Sequence, residues 1–264
     1  MALALAALLP MALAPAALAC GRGRPAPSSP PRDSLTVLAA SSLTDAFRDA
    51  GRSCCDSAGA LPAHFDFSGS QAIRARLAHG ETADVVAMAD SIHIRALWRA
   101  GRIGLPRLFA HGRLAIVTAA HDSNLISYVG LTEPGLKIAS AAPNVPLARY
   151  TDILLMRIAG IRRDGARLTG SIRVNLTADQ PNSRAVLERV LRGQADAGIV
   201  YATDVEAAHG RLRTVQLPDF FSPQVQYFIA PVIGSPHAAQ AEAFVEYVTG
   251  AAGQEILRRH GFEP

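Results

Sequence analysis

The stretch from Leu35 to Phe47, L-T-V-L-A-A-S-S-L-T-D-A-F, decides the fold. Leu35 to Ala40 is a short, nearly continuous apolar run, the pattern of a strand covered on both faces. Leu43, Ala46, Phe47 and Ala50 then fall at helical spacing, so Ser42 stands at a strand-to-helix junction. The segment H-F-D-F-S-G-S-Q-A-I-R-A-R-L repeats the arrangement. His64 to Phe67 reads as a strand, Ile73 and Leu77 as the apolar face of a helix closing at Gly80, and Ser70 marks the junction. A helix start exposes backbone N–H groups and a positive dipole end, and a capping serine adds a hydroxyl donor. Two such starts, converging, hold a small dianion without any charged side chain.

Working outward, the alternation continues. Ala83 to Ala89 reads as a buried strand with Asp90 or Ser91 capping the next helix, and Arg113 to Thr118 as another strand. Lys137 to Ser140 opens a second series: a strand, a V-P-L-A-R-Y turn and a helix through Leu154, Leu155 and Ile158. Ile172 to Leu176 reads as a short strand, and Asn182 caps a helix carrying Val186, Leu187, Val190 and Leu191. Ala197 to Tyr201 and Val225 to Val232 read as strands, with helices around Ala243 to Val248 and Gly253 to His260 at the end. The pattern is α/β with mainly parallel sheets, in two series, with a late strand returning to the first. In such sheets ligands sit off the carboxyl ends of strands, where helices begin.

Composition narrows the function. The 264 residues are 49% hydrophobic and 18% charged, enough apolar residue for one domain or two. The formal charge of +4 comes almost entirely from arginine, with Lys137 the only lysine. The arginines are scattered without aromatic interleaving, which argues against a nucleic-acid partner. The chain carries no G-x-S-x-G, H-E-x-x-H or P-loop motif, and its eight histidines lack ligand spacing, so neither an enzyme nor a metal held directly by side chains is expected. Cys54 and Cys55 are adjacent and fit no C-x-x-C pattern; packing at a helix edge suits them better than a disulfide.

Residues 1–19, almost wholly Ala, Leu, Met and Pro, end in Ala17-Leu18-Ala19 and read as a signal peptide, though no Lys or Arg precedes the apolar run. Pro10 and Pro15 break the run, which is too short for a membrane span of about 20 residues. Cys20 then makes a lipid-tethered N-terminus and a plain cleaved one alternative readings. The Pro-rich linker 20–34 suits both.

From Leu35 to the C-terminus the chain resembles the periplasmic molybdate-binding proteins of ABC transporters. The motifs that carry the resemblance are L-T-V-L-A-A-S-S-L-T-D-A-F, F-S-G-S-Q-A-I-R-A-R-L, A-D-V-V-A-M-A-D, P-N-V-P-L-A-R-Y, A-D-A-G-I-V-Y-A-T-D and G-Q-E-I-L-R-R-H-G-F, in that order. The resemblance implies a type II periplasmic binding protein fold, two α/β lobes joined by a hinge and closing on molybdate or tungstate. Lobe one would take residues 35–113 plus 229–264 and lobe two residues 114–228. Ser42 and Ser70 would donate hydroxyl and backbone N–H bonds from the first lobe. Leu147 and Ser183 would supply backbone N–H groups from the second, and Tyr201 its phenolic O–H. The family implies an exported monomer with no cofactor, delivering the oxyanion to a membrane permease driven by a cytoplasmic ATPase.

Leu147 and Ala148 depart from the common V-P-A-G-R-Y, and Ser183 stands where relatives often carry valine. A larger Leu147 side chain would crowd the cleft or shift the turn, and Ser183 would bring an extra hydroxyl. Arg149 matches an arginine common in the family and reads as a surface or hinge residue. Sulfate, phosphate and ferric iron are competing ligands, although Tyr201 lacks the neighbouring tyrosine typical of iron binders. The sensor half of a transcription regulator shares the fold, but the first 34 residues supply no helix-turn-helix.

Overall fold

The computed structural model describes residues 34–55, 61–122 and 124–263. The signal-peptide reading, Cys20 and the spacer through residue 33 lie outside them.

Strand β1 (Leu35–Ala40) leads through a 3-10 turn, Ser41–Leu43, into α1 (Thr44–Cys55), with Thr44 Oγ1 donating to the Ser41 carbonyl at 2.6 Å. β2 (Ala63–Ser68) is followed by α2 (Ser70–Ala78), β3 (Val85–Met88) by α3 (Ser91–Arg99), and β4 (Arg107–Gly112) runs along the edge. The second series holds β5 (Leu114–Ala119), β6 (Ile138–Ala141), α4 (Pro146–Ile161), α5 (Gly165–Asn175), β7 (Leu176–Gln180), α6 (Ser183–Leu191), β8 (Ala197–Tyr201), α7 (Ala202–Glu206) and β9 (Leu212–Val215). β10 (Val225–Pro231), α8 (Ala238–Thr249) and α9 (Ala251–Arg259) complete the chain.

The strands form two sheets, ordered β2-β1-β3-β10-β4 and β7-β6-β8-β5-β9. Each is mixed rather than mainly parallel. β1 runs parallel to β2 and β3, and β6 parallel to β7 and β8. β10 is antiparallel to β3 and β4, and β5 antiparallel to β8 and β9. In both sheets the antiparallel intruder is the strand that has just crossed from the other lobe. The first crossing is the single residue Arg113, between β4 and β5. The second ends before β10, which pairs with first-sheet strands from Val225 onward, so the return lies ahead of the expected boundary at Ile229. Arg113 pairs with Asp219 at 3.0 Å on the returning segment and with Glu263 at 2.7 Å, tying both crossings together.

Residues on alternate faces of the first sheet serve different cores. Val37, Ala39, Val85 and Ala87 belong to the larger apolar cluster, where the Phe47 ring meets Phe65, Phe109 and Phe244 at 6.2, 5.9 and 6.0 Å. Leu38, Val86 and Met88 pack with Ile73, Leu77, Ile94 and Leu97 beneath α2 and α3. Coverage on both faces explains why these strands read as unbroken apolar runs. Cys54 packs partly buried against the larger cluster near the end of α1.

The expected strand Ile172 to Leu176 is instead the end of α5 and the first residue of β7. The alternation I-R-V-N-L would place Val174 on the same face as Ile172, yet Val174 is 85% exposed and Ile172 is fully buried. Leu168 and Ile172, one helical turn apart, are the large apolar residues α5 buries, beside Gly165 and Thr169.

Candidate functional site

All five residues singled out from the sequence border one small cavity. Ser42 and Ser70 line it from the first lobe, and Leu147, Ser183 and Tyr201 from the second. Its free volume is about 10 Å³, roughly one water-sized probe sphere. Ser41, Ser68, Gly69 and Asn182 are also in its wall, whereas no arginine or lysine is.

The first lobe contributes hydroxyls. Ser42 sits inside the 3-10 turn whose cap is Ala40, and Ser70 is the first residue of α2 behind the cap Gly69. Neither serine is therefore the expected cap; both hydroxyls are spared that duty and face the cavity region instead. Ser70 Oγ accepts from the Ala89 N–H at 3.1 Å, which leaves its own proton to donate. Ser42 Oγ and Ser68 Oγ are both buried without a hydrogen-bond partner. Unpaired buried hydroxyls are costly, and a group of them around one void is expected where a ligand completes the bonding.

The second lobe contributes helix starts. Pro146 opens α4 and has no N–H, so the Leu147 N–H is the first donor of that helix. The Leu147 side chain is fully buried in the larger core cluster, so its extra size is taken up by packing. Asn182 caps α6 as expected, its Oδ1 accepting from Ala185 N at 2.9 Å. That frees the first N–H groups of α6, with the Ser183 hydroxyl 3.3 Å from Ser41 Oγ across the cleft. Tyr201 ends β8 with its ring against Tyr150 and Tyr227, at 6.4 and 6.1 Å. Burial, reinforced by Tyr227, Tyr150, Asp90 and Asp204, pushes its phenol pKa well above the ordinary value, so it stays a donor.

The cleft is shut. Gln71 Nε2 donates to the Pro181 carbonyl at 2.8 Å, and His93 Nε2 lies 3.2 Å from the Asn144 carbonyl. Gly69 permits this approach, because a Cβ there would come within 2.6 Å of the same Pro181 oxygen. Arg184 reaches Asp45 on α1 at 2.6 Å. Arg149 lies away from the cavity wall, its guanidinium 5.3 Å from the Tyr150 ring centre. Among the described residues no group of His, Cys, Asp and Glu is arranged to hold a metal ion.

Sequence reading passed over Ser41, Ser68, Gln71, Arg184 and Asp204. The doublet Ser41-Ser42 and the S-G-S spacing of Ser68 and Ser70 carried a signal for the first two. Asp45, Arg184 and Asp204 meet only through the tertiary fold.

Two mixed α/β sheets joined by two crossings, with helix starts from both facing one small cavity, define a two-lobed binding protein. The chain belongs to the bacterial extracellular solute-binding proteins, whose family model matches residues 35–263. It is a binding protein and not an enzyme. Its similarity is to molybdate-binding protein ModA of Mycobacterium tuberculosis (strain ATCC 25618 / H37Rv): 34% identity over 251 residues, covering 93% of this chain and 92% of that protein. Among solved structures, the periplasmic molybdate-binding protein of Azotobacter vinelandii matches with a TM-score of 0.75 at 17% identity, covering 87% of this chain and 99% of that one. The sulfate-binding protein SubI of Mycobacterium tuberculosis H37Rv matches with a TM-score of 0.76 at 18% identity, covering 88% and 86%. The fold alone thus serves more than one tetrahedral anion.

Proposed function

We propose that this protein captures molybdate or tungstate in the cleft between its lobes and hands it to an ABC permease in the membrane. The observation that carries the reading is a cation-free cavity walled by hydroxyls and helix starts from both lobes, with hydrogen bonds joining the lobes around it. Molybdate, tungstate and sulfate are fully ionised tetrahedra near neutrality, so a wall made only of donors satisfies their oxygens. Phosphate keeps a proton over much of that range and would need an acceptor. Hydrogen bonds to a charged group contribute roughly 1.5–3 kcal/mol each, not additively. Neutral donors also avoid a buried counter-charge that would resist release. The 34% identity to ModA favours molybdate over sulfate.

Ser42, Ser70, the Leu147 and Ser183 N–H groups and Tyr201 are the proposed ligand set. Calorimetric titration of the mature chain with molybdate, tungstate, sulfate and phosphate tests the reading. Tight binding of the first two with weak binding of the others is expected; preference for sulfate or phosphate would overturn it. Export belongs to the same proposal, with a lipid tether at Cys20 and a plain cleaved N-terminus as its alternative forms, and the mass of the N-terminal peptide distinguishes them.

A further inference from the structure

We propose that Arg184 is a positioning residue that sets how long the anion stays in the cleft, by fastening the second-lobe ligand segment to Asp45 of the first lobe. This rests on the oxyanion reading above and adds a residue that touches no ligand.

Arg184 follows Ser183 directly, in the first turn of α6. A cation at a helix N-terminus is opposed by the dipole, so its placement there needs a compensating partner. It has one on each lobe. Its Nη2 donates to Asp45 Oδ2 at 2.6 Å, and its Nε lies 3.4 Å from Asp204 Oδ1. Asp45 lies in the first turn of α1, just beyond the Ser41–Leu43 turn. Asp204 is fully buried and its Oδ2 accepts from the Tyr201 N–H at 3.3 Å. One guanidinium therefore links the Ser42, Ser183 and Tyr201 segments.

The two contacts differ in what opening does to them. Arg184 and Asp204 lie on the same lobe and stay together, whereas the Asp45 pair exists only when the lobes are closed. Only that second contact distinguishes closed from open, and only a differential contact shifts such an equilibrium. The other rim contacts described above, Gln71 to Pro181 and His93 to Asn144, carry at most one titratable partner each. Arg184 with Asp45 is a charged pair across the cleft beside the anion cavity, so its loss acts on escape rather than on entry.

The test is the dissociation rate of labelled molybdate chased with excess unlabelled anion, together with the association rate and equilibrium affinity. Arg184→Gln should raise the dissociation rate about two- to fivefold, as expected for a partly exposed pair, and leave the association rate nearly unchanged. Asp45→Asn should do the same, and the double variant should be no faster than either single one. Arg184→Lys should restore most of the retention, whereas Arg184→Met, of similar length but uncharged, should not. Wild-type dissociation rates in both Arg184→Gln and Asp45→Asn, or additive effects in the double variant, would overturn the proposal. If Arg184→Gln does not fold by circular dichroism, Asp45→Asn decides alone. Wild-type protein that takes up none of the tetrahedral anions would overturn the site reading and this proposal together, an outcome distinct from wild-type binding with unaltered variants.

Discussion

The two lobes build their halves of the cavity from the same supersecondary unit, a strand feeding a helix, but spend different atoms on it. The first lobe offers serine side chains that its helices do not use as caps. The second uses Asn182 as a side-chain cap, opens α4 with proline, and buries Leu147 in the core, so its helices are left to donate through the backbone. Tyr201 aside, substituting side chains should therefore damage anion binding in the first lobe and folding in the second.

The largest expected effect tests that division at Leu147. Leu147→Ala keeps the N–H but empties a fully buried position, and should cost about 2–5 kcal/mol of stability with little change in molybdate affinity. Denaturant unfolding and calorimetry on the same preparation read both. Collapse of affinity in a folded variant would mean that the second lobe binds through its side chain after all.

Asp204 gives the next effect, and its sign depends on pH. Burial pushes its carboxyl pKa from 3.8 up to about 6, against the opposing pull of Arg184, Ser183 and the Tyr201 N–H. A folded value above the unfolded one means the folded chain holds the proton more tightly. The stabilisation is complete below about 3.8, fades through about 6 and is absent above it. Roughly two units correspond to roughly 3 kcal/mol. Asp204→Asn removes this dependence, so the stability difference between wild type and variant should shift in the variant's favour by about that amount on going from acid to neutral pH. Parallel stability curves for the two proteins would contradict the assignment.

Within the first lobe, Ser42 and Ser70 should part company. Each hydroxyl removed should weaken molybdate binding by roughly 1.5–3 kcal/mol. Ser42 Oγ makes no hydrogen bond of ordinary geometry, its hydroxyl neighbour being Tyr227, so Ser42→Ala should change stability by less than about 1 kcal/mol. Ser70→Ala also strips the acceptor from the Ala89 N–H, which should cost a further 1–3 kcal/mol or so of stability. Equal stability in the two variants would show that Ala89 finds another acceptor.

The same contrast explains what the sequence could and could not disclose. The junction at Ser42 was legible because β1 is a central strand covered on both faces. Those at Ser70 and Asn182 follow the edge strands β2 and β7 and were legible from the helical spacing of Ile73 and Leu77 and of Val186, Leu187 and Val190. The edge strands β4 and β9 were not, since half-exposed edges carry Arg107, His111 and Arg213 amid their apolar residues. α5 was misread because the exposed Val174 completes a false two-residue period. At the site, adjacency and cap chemistry exposed the ligand-facing residues. The Asp45–Arg184–Asp204 set stayed hidden because its members lie on three helices, 139 positions separating the first pair.

The smallest effect belongs to Tyr201, the one side-chain donor proposed for the second lobe. Tyr201→Phe preserves the ring contacts with Tyr150 and Tyr227 and removes a single phenol from the wall. Burying a neutral hydroxyl is itself costly, so deleting it recovers part of what the lost bond contributed. The expected loss of molybdate affinity is at most about tenfold, below that of either serine variant, with unfolding stability unchanged or higher. Because the phenol does not ionise in the neutral or mildly alkaline range, wild-type affinity should not fall there through Tyr201, and Tyr201→Phe should follow the same pH profile. A loss exceeding that of Ser42→Ala would reverse the ranking. It would mean that the second lobe, too, depends on a side chain to hold its ligand.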